Sequence, residues 1–268
     1  MLFSDLALSR RLERAEGHSS AQYAAARRRV FPASGAEWME CAGAFVVFDG
    51  ADSPVTQAFA LGLFDELTAD TLDIVERFFR DRRAPVQLEI SPFVGTAALE
   101  LLAGRGYRPI EISSVLYREL DHPPALSDPD IHVRVAGPEG GAQWNEISTR
   151  AWSHDYPQYG DFFRQNSAIV NAREHSFCFL AEFRGVPGAA GALSLHEGVA
   201  LFAGAATVPE LRSRGLQNAL LQARLGFAFE RGCDLAMMVA ETGSRSQRNA
   251  ERQGFRIAYT RIKWRLPV

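Results

Sequence analysis

The apolar run Val199–Val208 leads straight into the turn Pro209-Glu210-Leu211-Arg212-Ser213-Arg214-Gly215, and this junction constrains the fold more than any other stretch. After Gly215, apolar residues recur at Leu216, Ala219, Leu220, Ala223 and Phe227. That is the spacing of one helical face. A strand therefore feeds a helix through a turn that carries two arginines. The positive end of a helix dipole favours acidic side chains at that end and basic ones at the other. A helix start shaped by stability alone would take Asp, Ser or Thr. Unpaired N–H groups, a glycine that allows close approach and two cations instead suit a bound polyanion, most simply a phosphate or pyrophosphate.

The rest of the composition excludes several classes. With 268 residues the chain can form one large domain or two ordinary ones. A hydrophobic share of 47% with 23% charged residues is ordinary for a soluble globular protein. A net charge of −3 argues against a nucleic-acid binder, which is usually basic. Cys41, Cys178 and Cys233 are far apart and form no CxxC pair, so neither a zinc site nor a disulfide framework is expected. No apolar run approaches the ~18 residues that span a membrane. The N-terminus soon meets Arg10, Arg11 and Glu13, so it does not read as a secretory signal and the cytoplasm is the expected location.

Three prolines and no apolar periodicity mark Asp121–Asp130 as a linker. Similar orders of elements lie on either side of it. The first half reads as a charged helix over about 5–30, then strands at Trp38–Cys41, Ala44–Phe48 and Gln57–Phe64. A helix Thr68–Arg82, a strand Val86–Ile90, a helix Val94–Ala103 and a terminal strand from Tyr107 follow. The second half reads as a strand Ile131–Val135, helices Pro138–Trp152 and Tyr159–Ala172, and strands Phe177–Phe183, Ala189–Leu195 and Val199–Thr207. It closes with the helix after Gly215, a strand Leu235–Ala240, a helix Ser246–Gln253 and a strand from Phe255. Mixed strands and helices joined at hairpin length argue for an α/β mixed sheet in each half. Gly106-Tyr107-Arg108 and Gly254-Phe255-Arg256 open similar terminal strands about 148 residues apart, as a duplicated domain would.

The second half resembles the GNAT superfamily of acetyl-CoA-dependent N-acetyltransferases. The resemblance rests on the strand, on Val208-Pro209-x-x-Arg212-x-x-Gly215, on the helix that follows, and on Asn249-Ala250-x-x-x-Gly254-Phe255. The family's pyrophosphate signature is Gln or Arg, two residues, Gly, one residue, then Gly or Ala. Arg212 and Gly215 fit it, whereas Gln217 departs from the last place. The resemblance implies two tandem GNAT-like domains, with residues 1–121 a degenerate one lacking a CoA site, 122–130 a linker and 131–268 the acetyltransferase domain. It also implies that the two central strands of the second domain splay apart. Arg212, Ser213, Arg214, Gly215, Leu216, Gln217 and Asn218 would then line the phosphates. Backbone groups of Ala206, Thr207 and Val208 would pair with the pantetheine arm, and Ser246 and Asn249 would hydrogen-bond it. In the first half the corresponding stretch, Leu63–Asp73, carries four carboxylates and no glycine for close approach beside the helix start. Thr68 and Asp70 there are what helix stability alone would select.

Acetyl transfer to an amine needs a neutral amine, stabilisation of the thioester oxygen and neutralisation of the leaving thiolate. Backbone N–H groups near Val208 are the expected oxyanion donors. Glu241, at the end of its strand, is the candidate base; a plain surface glutamate is the alternative. Where the family often carries an acidic tyrosine this chain has Ala250, so Ser244, Ser246 or Tyr259 could substitute, or the thiolate could leave unaided. His154, Tyr156 and Tyr159, with Asp155, form a polar, aromatic loop that commonly walls the acceptor pocket in the family. The expectation is an N-acetyltransferase that uses acetyl-CoA and no metal, acting on a primary amine of a small molecule by direct attack in a ternary complex. It would work as a monomer or homodimer, with no nucleic-acid or membrane partner. A sensor or scaffold that binds acetyl-CoA without turnover is the main alternative, and a transferase using a charged tRNA donor is a weaker one.

Overall fold

The computed structural model describes residues 2–121, 128–137 and 140–267. The core of the expected linker, residues 122–127, and the first residues of the expected Pro138 helix lie outside them. The chain divides into two compact units. One comprises Met1–Tyr117, Val239–Arg248 and Arg256–Val268, and the other Arg118–Met238 and Asn249–Phe255.

The first unit begins with α1 (Leu6–Val30), capped by Asp5, whose Oδ1 accepts from the Leu8 N–H at 2.8 Å. Strands β1 (Glu37–Cys41) and β2 (Ala44–Phe48) form a hairpin through Ala42 and Gly43, both at positive φ. That backbone matches the twist of a two-residue hairpin. β3 (Gln57–Phe59) pairs antiparallel with β2 and parallel with β4 (Val86–Ile90). The strand expected over Gln57–Phe64 ends at Phe59, because Ala60 turns into the left-handed region at φ 64°. Helix α2 (Ala69–Arg80) joins β3 to β4, and α3 (Thr96–Gly104) leads to β5 (Arg108–Glu119). Side chains alternate across β2. Val46 joins Phe79, Leu88, Ile90 and Leu102 in one core, while Phe45 and Val47 pack with Ala21 and Ala24 of α1 in another.

The last strand, β11 (Arg256–Leu266), was expected to close the second domain. It lies instead in the first unit, antiparallel to both β4 and β5. Its side chains explain the placement. Arg261 is 2% exposed and reaches Glu13 at 3.1 Å, Glu16 at 2.6 Å and Glu89 at 3.0 Å. Tyr259 donates to Glu13 at 2.9 Å. Carboxylates around a buried guanidinium offset the cost of taking its charge out of water, and α1 and β4 supply them.

The second unit is built on β6 (Ile131–Ala136), β7 (Ser176–Phe183), β8 (Val186–His196), β9 (Val199–Thr207) and β10 (Leu235–Glu241), whose first residues belong here. The first four pair antiparallel in sequence order, and β10 pairs parallel with β9. Arg184-Gly185 and Glu197-Gly198 make the two-residue hairpin turns, all at positive φ. Helices α4 (Gly141–Asp155) and α5 (Gly160–Asn171) precede β7, while α6 (Leu216–Glu230) connects β9 to β10 and α7 (Arg245–Arg252) follows. The run β1-β2-β3-α2-β4-α3-β5 thus repeats as β7-β8-β9-α6-β10-α7-β11. In both, two antiparallel pairings are followed by one parallel pairing.

Candidate functional site

The arginine turn has an unusual backbone. Arg212 is extended, Ser213 sits at φ 62° and Gly215 at φ 86°. Serine rarely adopts that conformation, at a cost of roughly 1–2 kcal/mol. Gly215 occupies the N-cap of α6 and no side chain caps the helix. The first helical bond runs from the Ala219 N–H to the Gly215 carbonyl, so Leu216, Gln217 and Asn218 present N–H groups that the helix itself cannot use. Ser213, Arg214, Gly215 and Asn218 are exposed around them. Such a turn, with N–H groups converging at the positive end of a helix, is a cradle for phosphate.

The arginines are held in place. Arg212 Nε donates to the Thr207 carbonyl at 3.1 Å, and its Nη2 donates to both carboxylate oxygens of Asp155 at 3.0 and 2.9 Å. The Arg214 guanidinium lies 5.7 Å from the Phe183 ring centre. Gln217, the departure from the family signature, turns its amide to Thr207 Oγ1 at 2.8 Å. The longer side chain folds back along β9 and leaves the backbone of the turn uncovered.

Strand β9 supplies an open edge beside the turn. Its parallel ladder with β10 has three pairs, the last being Leu201 with Met237. Phe202–Thr207 then continue with no β10 partner, which is the expected parting of the central strands. On the other edge the ladder with β8 shifts register, so that Gly204 and Ala205 together oppose Gly191. Gly204 is at φ 61°. This is a bulge, and its extra residue is left without ladder partners. Val208 plays a different part from the one expected. Its N–H donates to Gly188 at 2.9 Å and its carbonyl accepts from Leu211 at 3.1 Å, so neither serves as a free donor or arm partner. Ala206 and Thr207 stay on the open stretch, paired with Ala190 and Ala189 of β8 on their other side.

The end of α4 and the short helical turn after it make the aromatic loop. His154, Tyr156 and Tyr159 are all exposed. Behind them Trp152 stacks on Phe163, with centroids 5.9 Å apart, and donates to the bulge carbonyl of Gly204 at 3.4 Å. Trp152 and Arg212 thus tie this loop to β9 and to the turn.

The remaining candidates divide between the two units. Glu241 ends β10 as an exposed carboxylate, and Ser246 is exposed on α7; both group with the first unit. Ser244 caps α7, accepting from the Gln247 N–H at 3.2 Å. Asn249, half-buried, groups with the second unit. Tyr259 does not join a site. It is buried in the first unit, and its hydroxyl is engaged with Glu13, Arg261's partner. Burial also pushes its ionisation well above the ordinary phenol range, aided by the Glu13 charge.

Residues 141–255, from the first residue of α4 to the residue before β11, match the model of the Acetyltransferase (GNAT) family. These residues form a GNAT domain. None of the curated proteins compared matches the chain. Among solved structures, a GCN5-related N-acetyltransferase from Kribbella flavida superposes with TM-score 0.67 at 19% identity, over 93% of this chain and 96% of its own. A GCN5-related N-acetyltransferase from Sphaerobacter thermophilus gives 0.56 at 20% identity, over 78% and 71%. A tandem GNAT protein from the clavulanic acid biosynthesis pathway gives 0.55 at 15% identity, over 84% and 79%. At these identities the likeness is one of fold, and it extends over both halves of the chain.

The GNAT domain carries the coarse chemical assignment, acyl-CoA-dependent acetyl transfer. In the first unit the turn before α2 has the opposite character. Thr68 Oγ1 accepts from the Thr71 N–H at 3.2 Å, and Asp70 stands in the first helical turn. There a side chain takes one of the first N–H groups and a carboxylate answers the dipole, so the helix start is less suited to an anion. Sequence reasoning missed two site features, the Asp155–Arg212 pair and the Gly191/Gly204 bulge. The paired glycines, one on each strand of the hairpin, were the available signal for the bulge. Among the described residues no cluster of His, Cys, Asp or Glu suited to a metal is present, and no helix is long and apolar enough to cross a membrane.

Proposed function

We propose that the GNAT domain transfers the acetyl group of acetyl-CoA to a primary amine on a small molecule. One observation carries the reading: α6 opens uncapped behind two left-handed residues, directly after a strand whose edge is unpaired. The turn fits a pyrophosphate through the N–H groups of Gly215–Asn218 and the side chains of Arg212, Ser213 and Arg214. The β9 edge at Ala206 and Thr207, apart from the Thr207 carbonyl that accepts from Arg212, fits an amide-bearing arm laid along it as an added strand. Acetyl-CoA supplies an activated thioester carbon.

The amine nitrogen forms a bond to that carbon, the C–S bond breaks, sulfur leaves as the thiolate, and a base takes the amine proton. Glu241 remains the candidate base. No tyrosine is proposed as the acid, because Tyr259 is engaged elsewhere and Ala250 is fully buried. A thiol near pKa ~8.5 leaves without one at modest cost. Tyr156, Tyr159 and His154 offer an aromatic and polar surface to the acceptor. The missing acid also favours a second reading, a protein that binds acetyl-CoA without turnover.

The test is calorimetric binding of acetyl-CoA, followed by thiol release against a panel of primary amines. Binding with turnover on at least one amine supports transfer, and binding with none supports the sensor. If Arg212→Glu combined with Gly215→Asp binds acetyl-CoA as tightly as the wild type, the site assignment is wrong.

A further inference from the structure

Arg224 is a feature of the second unit that the cosubstrate turn does not account for. It lies midway along α6 and is 3% exposed, and among the described residues no carboxylate pairs with it. Arg261, equally buried, has three. Burial alone pulls the Arg224 pKa down to about 10, which still leaves the guanidinium charged at neutral pH. An apolar side chain would fill the space without the cost of desolvating a cation. The position therefore demands what a guanidinium does.

Its contacts converge on the bulge. Nη1 donates to the Ala192 carbonyl at 3.0 Å and Nε to Leu220 at 3.2 Å. The guanidinium carbon lies 4.9 Å from the ring centre of Phe202, two residues before Gly204. Any Cβ added to Gly191 would meet that carbon at 3.3 Å, so the group occupies the space a side chain there would need. Gly191 is the residue that Gly204 and Ala205 together oppose. Its carbonyl accepts from Trp144 Nε1, 1% exposed, at 3.0 Å. Two buried side chains on two helices thus grip consecutive carbonyls of β8 where the ladder changes register. On the facing strand, the bulge leaves its extra residue without a β8 partner, on a stretch that also lacks a β10 partner.

We propose that Arg224 is a positioning residue: it holds the β8–β9 bulge open and sets an unneutralised positive charge beside it, so that the N–H of the residue the bulge leaves unpaired, at Gly204 or Ala205, polarises the thioester carbonyl. That group takes the part that Val208, engaged with Gly188, does not. The inference rests on the acetyl-CoA reading above. Donors fixed before reaction in a water-poor site need no reorganisation as charge develops on the oxygen, and losing one such donor commonly costs about 10²–10³ in rate.

The test compares wild type, Arg224→Met and Arg224→Lys. Three readouts are made: affinity for CoA and for acetyl-CoA, the carbonyl stretching frequency of bound [1-13C]acetyl-CoA, and amide exchange of the free protein at Ala203 and Ala206, which flank the bulge. Arg224→Met is expected to keep CoA affinity within about threefold and its melting temperature at or above that of the wild type, since apolar replacement of a buried charge is often neutral or stabilising. The carbonyl shift should largely vanish, and exchange at the flanking amides should quicken about tenfold or more. Arg224→Lys, which keeps the charge but not the fork, should retain part of the shift. A purely structural arginine predicts a lower melting temperature with an unchanged carbonyl frequency, and that result overturns the proposal. If the wild type binds no acetyl-CoA, the proposed function fails; unchanged exchange in Arg224→Met then overturns the role of Arg224 as well.

Discussion

Asp155 holds the turn's main cation, so removing its charge should tighten acetyl-CoA binding. Arg212 Nη2 spends its donors on the two Asp155 oxygens at 3.0 and 2.9 Å, while Nε is fixed on Thr207. A pyrophosphate that takes Nη2 must displace the carboxylate. With side-chain exposures of 33% and 43%, the pair is worth no more than about 1 kcal/mol. Displacing it therefore costs at most about fivefold in affinity. Asp155→Asn keeps the shape and one acceptor but removes both the competition and a negative charge beside the phosphates. We expect acetyl-CoA to bind about two- to fivefold more tightly by calorimetry at low salt. At about 1 M salt, where screening acts within roughly 3 Å, the gain should nearly disappear. Arg212→Ala should lose about 10- to 100-fold, the worth of a charged hydrogen bond to phosphate. If Asp155→Asn weakens binding threefold or more, the carboxylate orients Arg212 for the ligand, and the competitive account is refuted.

Glu13 predicts a pH dependence of stability. Burial, opposed by Arg261 and reinforced by the Glu16 and Glu89 charges, pushes its carboxyl from 4.5 up to about 7. The folded state therefore holds a proton that the unfolded chain has released. Its contribution is complete below the ordinary carboxylate value and is lost as pH rises through about 7. Urea midpoints for the wild type should fall between about pH 5 and 8, with a flatter profile for Glu13→Gln, whose amide can still accept from Tyr259. Arg261→Met strands Glu13, Glu16 and Glu89 and should cost about 3–5 kcal/mol in urea unfolding, less at low pH. Gly215→Ala forces a side chain to φ 86° with its Cβ 3.2 Å from Ile131, and should lower stability by about 1–2 kcal/mol by the same assay.

Local chemistry was legible in the sequence wherever local chemistry decides the structure. The strand–turn–helix at Val199–Phe227, both hairpins of the second unit and the capped start of α2 follow from periodicity, turn residues and caps. Gln57–Phe64 misled because a continuous apolar run signals burial, and Ala58–Leu61 are indeed buried without all being strand. The destination of β11 was invisible for a different reason. Arg256–Leu266 reads as a strand in any sheet, and what selects its partners is a set of carboxylates far away in sequence, at Glu13, Glu16 and Glu89. Tyr259 was misjudged with it, since its role depends on which sheet receives the strand. Arg224 left a readable trace: a cation on the helix face of Leu220, Leu221, Leu225 and Ala228, where burial is expected.

The two halves show how one fold can keep or forgo an anion site by small changes at one helix start. Both helices follow a strand that pairs parallel with the strand after the helix. At α2 a threonine satisfies the Thr71 N–H and an aspartate answers the dipole, so the helix start is stabilised from within the chain. At α6 a left-handed glycine replaces the cap, a left-handed serine precedes it, and the nearest arginine is balanced by a carboxylate from another helix end. The second arrangement is the less stable one without a ligand: three N–H groups go unused by the helix, one serine is strained and two cations face a positive dipole. Each of those costs is reversed by the same event, the arrival of a phosphate. Asp155 is then understood as a weak internal substitute for that anion, strong enough to order Arg212 and weak enough to yield.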